Sequence, residues 1–474
     1  MRVPSGSFAA GFHMLIYKQI LKARARRWRT APGASVPTVC VGNVTVGGTG
    51  KTPHTELILS LLQESDRWGA SRAAMLSRGY KRRSKGFQIV SRDSTAAFAG
   101  DEPLQIARKF PAVTVAVDKD RVQGCARLSG RQAATLGPTN DSGRGRVSRT
   151  VCPSPDSMAK KNSGDARGRQ QPSPPLPPRA EPAQKTSGDA RGRKQPSPPL
   201  PPHAEPAQNN SGDGSAAMPA PGAAEFSAAD IIVLDDAFQF NRLHASLNIV
   251  LVDWSRPVFE DSLLPFGRLR DLPQRIFEAD IIIVSKCPPG IDNWDKTSFA
   301  GKLRLKDYSA QDCSAVTPLG KRITLLFSHM EYCQLKPVFP EADARYCYSK
   351  SAVLFSGIAN DRPLRAHVSD IYRISGAIKF PDHHAFSKSD IARIADLVRK
   401  NPTAALLTTE KDAVRLLDYA PTSHGEKAEG SAMRKRSRRT VPAEIRERLF
   451  AVPIRAAFSD ERELETLRRR LETL

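Results

Sequence analysis

Residues 41–53 read VGNVTVGGTGKTP, directly after the apolar run Thr38–Val41 and directly before a helix-forming stretch, Thr55–Gln63. Few segments restrict a fold so strongly. Gly47, Gly48 and Gly50 free the backbone to turn its N–H groups around phosphate oxygens; Lys51 can reach the β- and γ-phosphates, and the Thr52 hydroxyl can ligate Mg²⁺. With Thr49 between them, these six residues are the expected nucleotide-binding loop. The full phosphate-loop pattern wants glycine at the position held by Thr45, so the assignment rests on the strand before the loop and the helix after it.

That context recurs along the chain. Short, mostly β-branched apolar runs are expected as strands at Thr38–Val41, Ala73–Leu76, Val113–Val117, Ile231–Leu234, Ile249–Val252, Ile281–Val284, Val353–Phe355 and Ala404–Leu407. Helix-length segments separate them. Continuous apolar runs without alternation indicate parallel sheets covered on both faces, with ligands at the carboxyl ends of the strands.

Two stretches cannot belong to that core. Residues 129–228 hold 17 of the 37 prolines and a duplicated unit, Ser163–Pro178, which returns at Ser187–Pro202 with one change, Gln170 to Lys194. Pro-rich polar sequence buries too little surface to offset chain entropy, and two copies without an apolar face make no solenoid. A second polar break, 421–441, contains the cluster Arg434–Arg439. Both are expected to be disordered inserts. The 474 residues are then divided into a basic surface segment (1–35) and a kinase-type domain in two parts (36–128 and 229–320). A linker (321–350) leads to a smaller C-terminal domain (351–474).

The net charge is +23, which directs a chain toward phosphate or an anionic surface. Much of the excess lies in the inserts and the first 30 residues. No nucleic-acid motif remains outside them, so no nucleic-acid partner is expected. The opening segment has no acidic residue among residues 1–35 and places Lys18, Lys22, Arg24, Arg26, Arg27 and Arg29 after the apolar run Phe12–Tyr17. A signal peptide has the reverse order. A basic amphipathic helix on an anionic leaflet fits, as does an ordinary first helix packed on its own domain. Seven cysteines without a C-x-x-C pair indicate neither a disulfide framework nor a zinc site.

The remaining polar residues cluster at strand ends. Asp235 and Asp236 close an apolar strand, as acids that hold Mg²⁺ against a nucleotide do. Asp101 and Glu102 open a helix expected at Leu104–Phe110, where a capping role is the plain alternative. Arg78 and Tyr80 follow another strand end and are suited to a sugar or phosphate. His383 and His384 stand beside Asp382 with no third ligand spacing for zinc, which favours proton handling or phosphate contact.

Taken in order, VGNVTVGGTGKTP, LSRGYKRRSKGF, GDEPLQIARKF with VDKDR, DIIVLDDAFQ with IVLVD, LLPFGRLRD, FPDHHAF and TTEKDAV resemble the tetraacyldisaccharide 4′-kinase family of lipid A biosynthesis. That family also begins its loop with Ser or Thr, which accounts for Thr45. The resemblance implies an α/β fold: a P-loop NTPase-like parallel-sheet domain with a second, smaller α/β/α domain, peripheral on the cytoplasmic face of the inner membrane. It implies transfer of the ATP γ-phosphate to the 4′-hydroxyl of an acylated glucosamine disaccharide 1-phosphate, with Mg²⁺ as cofactor and no obligate protein partner. By motif, Lys51 and Thr52 would hold nucleotide and metal, and Asp235, Asp236 and Glu102 would complete the metal site. Asp101 with a histidine, His383 in preference to His384, would activate the sugar hydroxyl. Gln239 and Arg270 would lie near metal and phosphates, and Arg78 and Tyr80 toward the disaccharide.

Two departures stand out: Ala237 and Phe240 replace the family's usual Gly and His, and an insert after Arg127 splits the segment joining VDKDR to the strand before Asp235. A P-loop GTPase or ATPase of the metal-insertion or chaperone type is the rival. It would need a guanine-reading motif, of which Thr409–Asp412 is a distant echo with Glu410 wrong for the role.

Overall fold

The computed structural model describes residues 6–69, 72–130, 227–419 and 440–474, with side chains from residue 17 onward. The Pro-rich insert, apart from its edges, the basic loop 421–439 and the side chains of Phe12–Ile16 lie outside the described residues. The described residues all fall in one compact unit.

The chain begins with α1 (Gly6–Arg29), then β1 (Thr38–Gly42) and α2 (Lys51–Glu64) on either side of the glycine loop. Next come β2 (Ala73–Ser77), β3 (Gln88–Val90), α3 (Ala96–Ala99), α4 (Asp101–Lys109), β4 (Thr114–Val117) and α5 (Arg121–Leu128). After the insert follow β5 (Ile231–Asp235), β6 (Leu247–Asp253), β7 (Ile281–Ser285), α6 (Asn293–Lys302), β8 (Lys306–Ser309), β9 (Ser314–Val316) and β10 (Arg322–Tyr332). The order in the resulting sheet is β3-β4-β2-β5-β1-β6-β7-β10-β9-β8. Pairing is parallel from β4 through β10, with antiparallel β3 at one edge and β9 and β8 at the other.

A second, five-stranded sheet is built from β11 (Lys336–Pro337), β12 (Ser351–Ser356), α7 (Arg362–Ile371), β13 (Arg373–Lys379), α8 (Lys388–Lys400), β14 (Ala405–Thr409), α9 (Glu410–Tyr419), α10 (Ala443–Arg446) and β15 (Leu449–Val452). Its order is β11-β15-β14-β12-β13. The chain then returns to the first sheet. Strand β16 (Ile454–Phe458) pairs antiparallel with Ser328–Tyr332 of β10, and α11 (Glu461–Glu472) follows it. Arg322–Tyr332, placed by sequence in the linker, is therefore a strand of the large sheet, and Ile454–Glu472, placed in the C-terminal segment, goes back to it.

All eight expected strands are present, their ends displaced by no more than two residues. The reason is burial: β1, β2, β5, β6 and β7 are buried at every position, which requires an apolar residue on both faces. Helix α2 covers one face through Ile58, Leu59, Leu61 and Leu62, each burial contributing roughly 1.5–3 kcal/mol. Helix α1 divides the two readings of its sequence. Leu21, Ala25 and Trp28, at helical spacing, are buried in the core beneath the large sheet. Lys18, Lys22, Arg24, Arg26, Arg27 and Arg29 all remain exposed.

The insert departs from and returns to neighbouring backbone. The Ala229 N–H donates to the Leu128 carbonyl at 2.7 Å, so residues 128 and 229 are adjacent in space.

Candidate active site

The glycine loop leaves β1 through Gly42, where a side chain would press against Phe238, its Cβ 2.5 Å from that of the phenylalanine. Gly47 and Gly50 adopt φ of 113° and 83°, backbone that L side chains rarely take. Gly50 caps α2, so Lys51 and Thr52 form its first turn, where free N–H groups and the helix dipole favour an anion. The loop is fixed from behind by four elements. Asn43 Nδ2 donates to Thr49 Oγ1 (2.7 Å), Ser285 Oγ donates to the Thr49 carbonyl (2.9 Å), and the Val46 N–H donates to the Arg268 carbonyl (2.7 Å). His54 Nδ1 donates to the Gly50 carbonyl (2.8 Å), while its Nε2 accepts from Ser328 Oγ (2.9 Å). Complete burial holds His54 neutral, its pKa down to about 4. Thr49 is buried, so its hydroxyl serves the loop.

Asp235 and Asp236 end β5 beside this loop. Burial, and then the charge of Asp236, push the Asp235 carboxyl up to about 6, although Ser77 Oγ donates to its Oδ2 at 2.9 Å. Asp236 turns the backbone with φ of 50°. Burial alone would raise its pKa, but Lys51, 3.8 Å away, and the guanidinium of Arg270 hold it below the usual carboxylate value. Arg270 Nη2 also donates to Asn43 Oδ1 (2.6 Å), and Gln239 Nε2 donates to the Asn43 carbonyl. The structure thus puts Arg270 against Asp236 and Gln239 behind the loop. The positive φ falls on Asp236 and not on Ala237, so alanine in place of glycine is unstrained there. Phe240 is half-buried and packs against the core with Trp28 nearby, an apolar use of a position where the family has histidine.

The donors at this strand end are oxygens, the Asp235 carboxylate and the Ser77 hydroxyl that donates to it, and Thr52 adds a hydroxyl in the first turn of α2. Among the described residues no three His, Cys, Asp or Glu side chains gather into a cage of their own. Hard oxygen donors, few from protein, suit Mg²⁺, which keeps water and substrate phosphate as its other ligands. The raised pKa of Asp235 marks a carboxylate that gains from a nearby cation. Glu102 is close enough to push Asp235 further up, but its own carboxylate accepts from Lys411 Nζ at 2.9 Å.

Asp101 begins α4 after Gly100, whose φ is 94° and whose Cα lies so close to Gly79 that an added Cβ would stand 3.2 Å from it. This contact sets the Arg78–Tyr80 loop against the start of the helix. Across from it, His383 follows β13 with φ of 59°, an uncommon conformation for a residue with a side chain. Its Nδ1 lies 2.7 Å from Asp101 Oδ2, and the edge of its ring meets Tyr80 with centroids 5.6 Å apart. Burial would raise the Asp101 pKa, yet hydrogen bonds from His383 and Arg415 bring it down to about 2. His384 is directed elsewhere: Nε2 pairs with Asp390 Oδ2 at 2.9 Å and the ring stacks on Phe380, bracing the first turn of α8. Arg78 is exposed at the rim.

Sequence reasoning missed three participants. Arg415 and Lys411 reach Asp101 and Glu102 from α9, and Arg121, buried at the start of α5, donates to the Asp235 carbonyl at 3.1 Å. A lysine and an arginine one turn apart read as a solvated helix face; only the acid pair opening α4 hinted at partners. The echo of a guanine-reading motif dissolves here too. Thr409 Oγ1 donates to Asp412 Oδ2 within its own turn, and Lys411 is bound to Glu102.

Comparison with known proteins gives the chain's family. The pattern of the family described as tetraacyldisaccharide-1-P 4′-kinase matches residues 8–136 and 217–467, leaving most of the Pro-rich insert outside it. A tetraacyldisaccharide 4′-kinase of Parabacteroides distasonis is 30% identical over 90% of this chain and 83% of its own length. One from Bacteroides fragilis is 31% identical over 83% and 77%, respectively, and one from Porphyromonas gingivalis 30% over 90% and 85%. A crystal structure of LpxK from Aquifex aeolicus in complex with ATP superposes with a TM-score of 0.54 over 98% of both chains, at 19% identity, and so bears on the fold. The chain belongs to the tetraacyldisaccharide-1-P 4′-kinase family.

Proposed function

We propose that the protein transfers the γ-phosphate of ATP to the 4′-hydroxyl of a tetraacylated glucosamine disaccharide 1-phosphate, a lipid A precursor, giving the 1,4′-bisphosphate. The observation that carries this reading is an Asp–His pair joining the start of α4 to the turn after β13, beside Glu102, whose charge is felt by Asp235 next to the glycine loop.

The amide groups of residues 47–52 bind the phosphates, and Lys51 neutralises charge that moves onto the leaving oxygen. Thr52, Asp235 and, once released from Lys411, Glu102 would hold Mg²⁺, which would neutralise phosphate charge. Arg270 keeps Asp236 ionised and turned toward Lys51. The acceptor enters past Arg78 and Tyr80. Asp101, ionised across the neutral pH range, takes the Nδ1–H of His383, leaving Nε2 to accept the proton of the attacking hydroxyl. Residues from both sheets are needed at once, so a complete site forms only when the two lie against each other, which also keeps water from ATP.

The acceptor's acyl chains stay in a leaflet, so the enzyme works at the membrane surface. No helix among the described residues is long and apolar enough to cross a membrane. The six exposed cations of α1 suit the anionic cytoplasmic face of the inner membrane. Incubation with γ-labelled ATP, Mg²⁺ and the disaccharide 1-phosphate tests the reading. A labelled bisphosphate is expected; ATP or GTP hydrolysis that ignores the lipid would overturn it.

A further inference from the structure

Helix α9 sends Arg415 across to α4, and the arrangement there is more specific than an ion pair. The side chain is 5% exposed. Its Nε and Nη2 both donate to Asp101 Oδ2, at 3.0 and 2.7 Å, while Nη1 donates to the Gly357 carbonyl (3.0 Å) and to Asp412 Oδ1 (2.8 Å). Asp412 is itself fixed, its Oδ2 accepting from the Gly357 N–H at 2.9 Å and from Thr409 Oγ1 at 2.7 Å. The planar guanidinium therefore ties α4, the turn after β12 and the start of α9 into one rigid unit.

The consequence falls on His383. Asp101 Oδ2 accepts from two guanidinium nitrogens and lies 2.7 Å from His383 Nδ1, a hydrogen-bond distance that a carboxylate fills only if Nδ1 carries the hydrogen. Arg415 Nη2 and His383 Nδ1 stand 3.3 Å apart because both converge on that oxygen. Nε2 is then the nitrogen with a lone pair. Its nearest charged neighbour is Asp382, 3.9 Å away and exposed. Without the fork, the Asp101 carboxylate could turn about its two side-chain bonds, and the imidazole would lose its orientation.

We propose that Arg415 is a positioning residue for phosphoryl transfer: by clamping Asp101 Oδ2 it fixes the His383 tautomer and aims Nε2 at the acceptor hydroxyl. This rests on the kinase reading above. Arg415 makes no contact with nucleotide or acceptor in this assignment; it acts through Asp101.

The test compares wild type, R415M, R415K, H383A and the R415M/H383A double variant in the lipid-acceptor assay, with melting temperature and ATP binding measured for each. R415M is expected to lower kcat by ~10²-fold while changing KM for ATP by less than ~3-fold. R415K, which keeps the charge and loses the fork, is expected to recover about 10-fold of that loss. In the H383A background R415M should cost less than ~3-fold more, because the group it orients is gone. If R415M fails to fold, R415K decides: a normal melting temperature with kcat about 10-fold down supports the clamp, and wild-type kcat overturns it. Equal kcat in R415M and wild type, or the same penalty with and without His383, also overturns it. A wild-type enzyme that transfers no phosphate to the lipid overturns the kinase reading itself.

Discussion

His383 Nδ1 and Asp101 Oδ2 are 2.7 Å apart although 282 residues separate them in the chain. One belongs to the turn after β13 of the small sheet and the other opens α4, which precedes β4 of the large one. Under the proposed mechanism two α/β sheets share one chain because neither contains both halves of the proton-accepting pair.

Removing either partner should therefore damage chemistry more than binding. D101A and H383A are each expected to lower kcat by ~10²-fold or more, with ATP affinity changed little. H384A is the control, because its imidazole braces Asp390 and Phe380. Its kcat should stay within roughly 3-fold of wild type while its melting temperature falls. Steady-state kinetics with the lipid acceptor and a separate ATP-binding titration check all three.

The helix α1 supports a prediction that splits its two faces. Reversing charge at Lys22, Arg26 and Arg27 should weaken sedimentation with vesicles containing anionic lipid, each cation near the surface counting for ~1 kcal/mol, without affecting the melting temperature. W28A should do the opposite. Trp28 is buried, edge-on to Phe238 with the Arg275 guanidinium over its ring, and its loss should cost about 3–5 kcal/mol in a urea titration.

Acid stability should depend on Asp361. Burial would raise its pKa, but hydrogen bonds from Lys379 and Arg365 lower it to about 2, from a model-peptide value of 3.8. A carboxyl depressed in the folded state stabilises above its unfolded pKa, and that contribution, on the order of 2 kcal/mol, is lost as pH falls from about 4 to 2. D361N should be less stable than wild type at pH 7 and lose less on acidification across that window. Denaturant midpoints at pH 7, 4 and 2.5 make the comparison.

The Leu128–Ala229 hydrogen bond predicts tolerance of a large deletion. Replacing residues 131–226 with a short Gly-Ser link closes a loop whose ends already touch, and closure entropy depends only weakly on length. Activity within about 2-fold and an unchanged urea midpoint are expected. A collapse in either would mean that the insert contributes to the fold.

The legible parts of this protein were those in which one local sequence carries the whole requirement. The parallel strands had to be apolar throughout because both faces are covered, and the loop from Gly47 to Thr52 needs glycine at particular φ and a helix immediately after it. What stayed hidden depends on partners distant in sequence. Strand β13 alternates between exposed and half-buried residues, as an edge strand does, and its Ser-Gly-Ala centre has no apolar run to notice. The vicinal histidines could be ranked but not told apart until their partners, Asp101 and Asp390, were located. Arg415 was the least visible of all, since an arginine on a charged helix reads as a surface residue and only packing reveals a buried one.

Strand β16 adds an asymmetry in time. It joins Ser328–Tyr332 of β10 only after every element of the small sheet has been made, and α11 then sets Glu463 against Lys296 inside the large one. On the ribosome, the half that grips the nucleotide must wait, with an open flank, for the half that supplies His383. A nascent chain halted before Ile454 would carry its glycine loop on a sheet whose β10 still lacks this antiparallel partner, and by then His383 has already been translated.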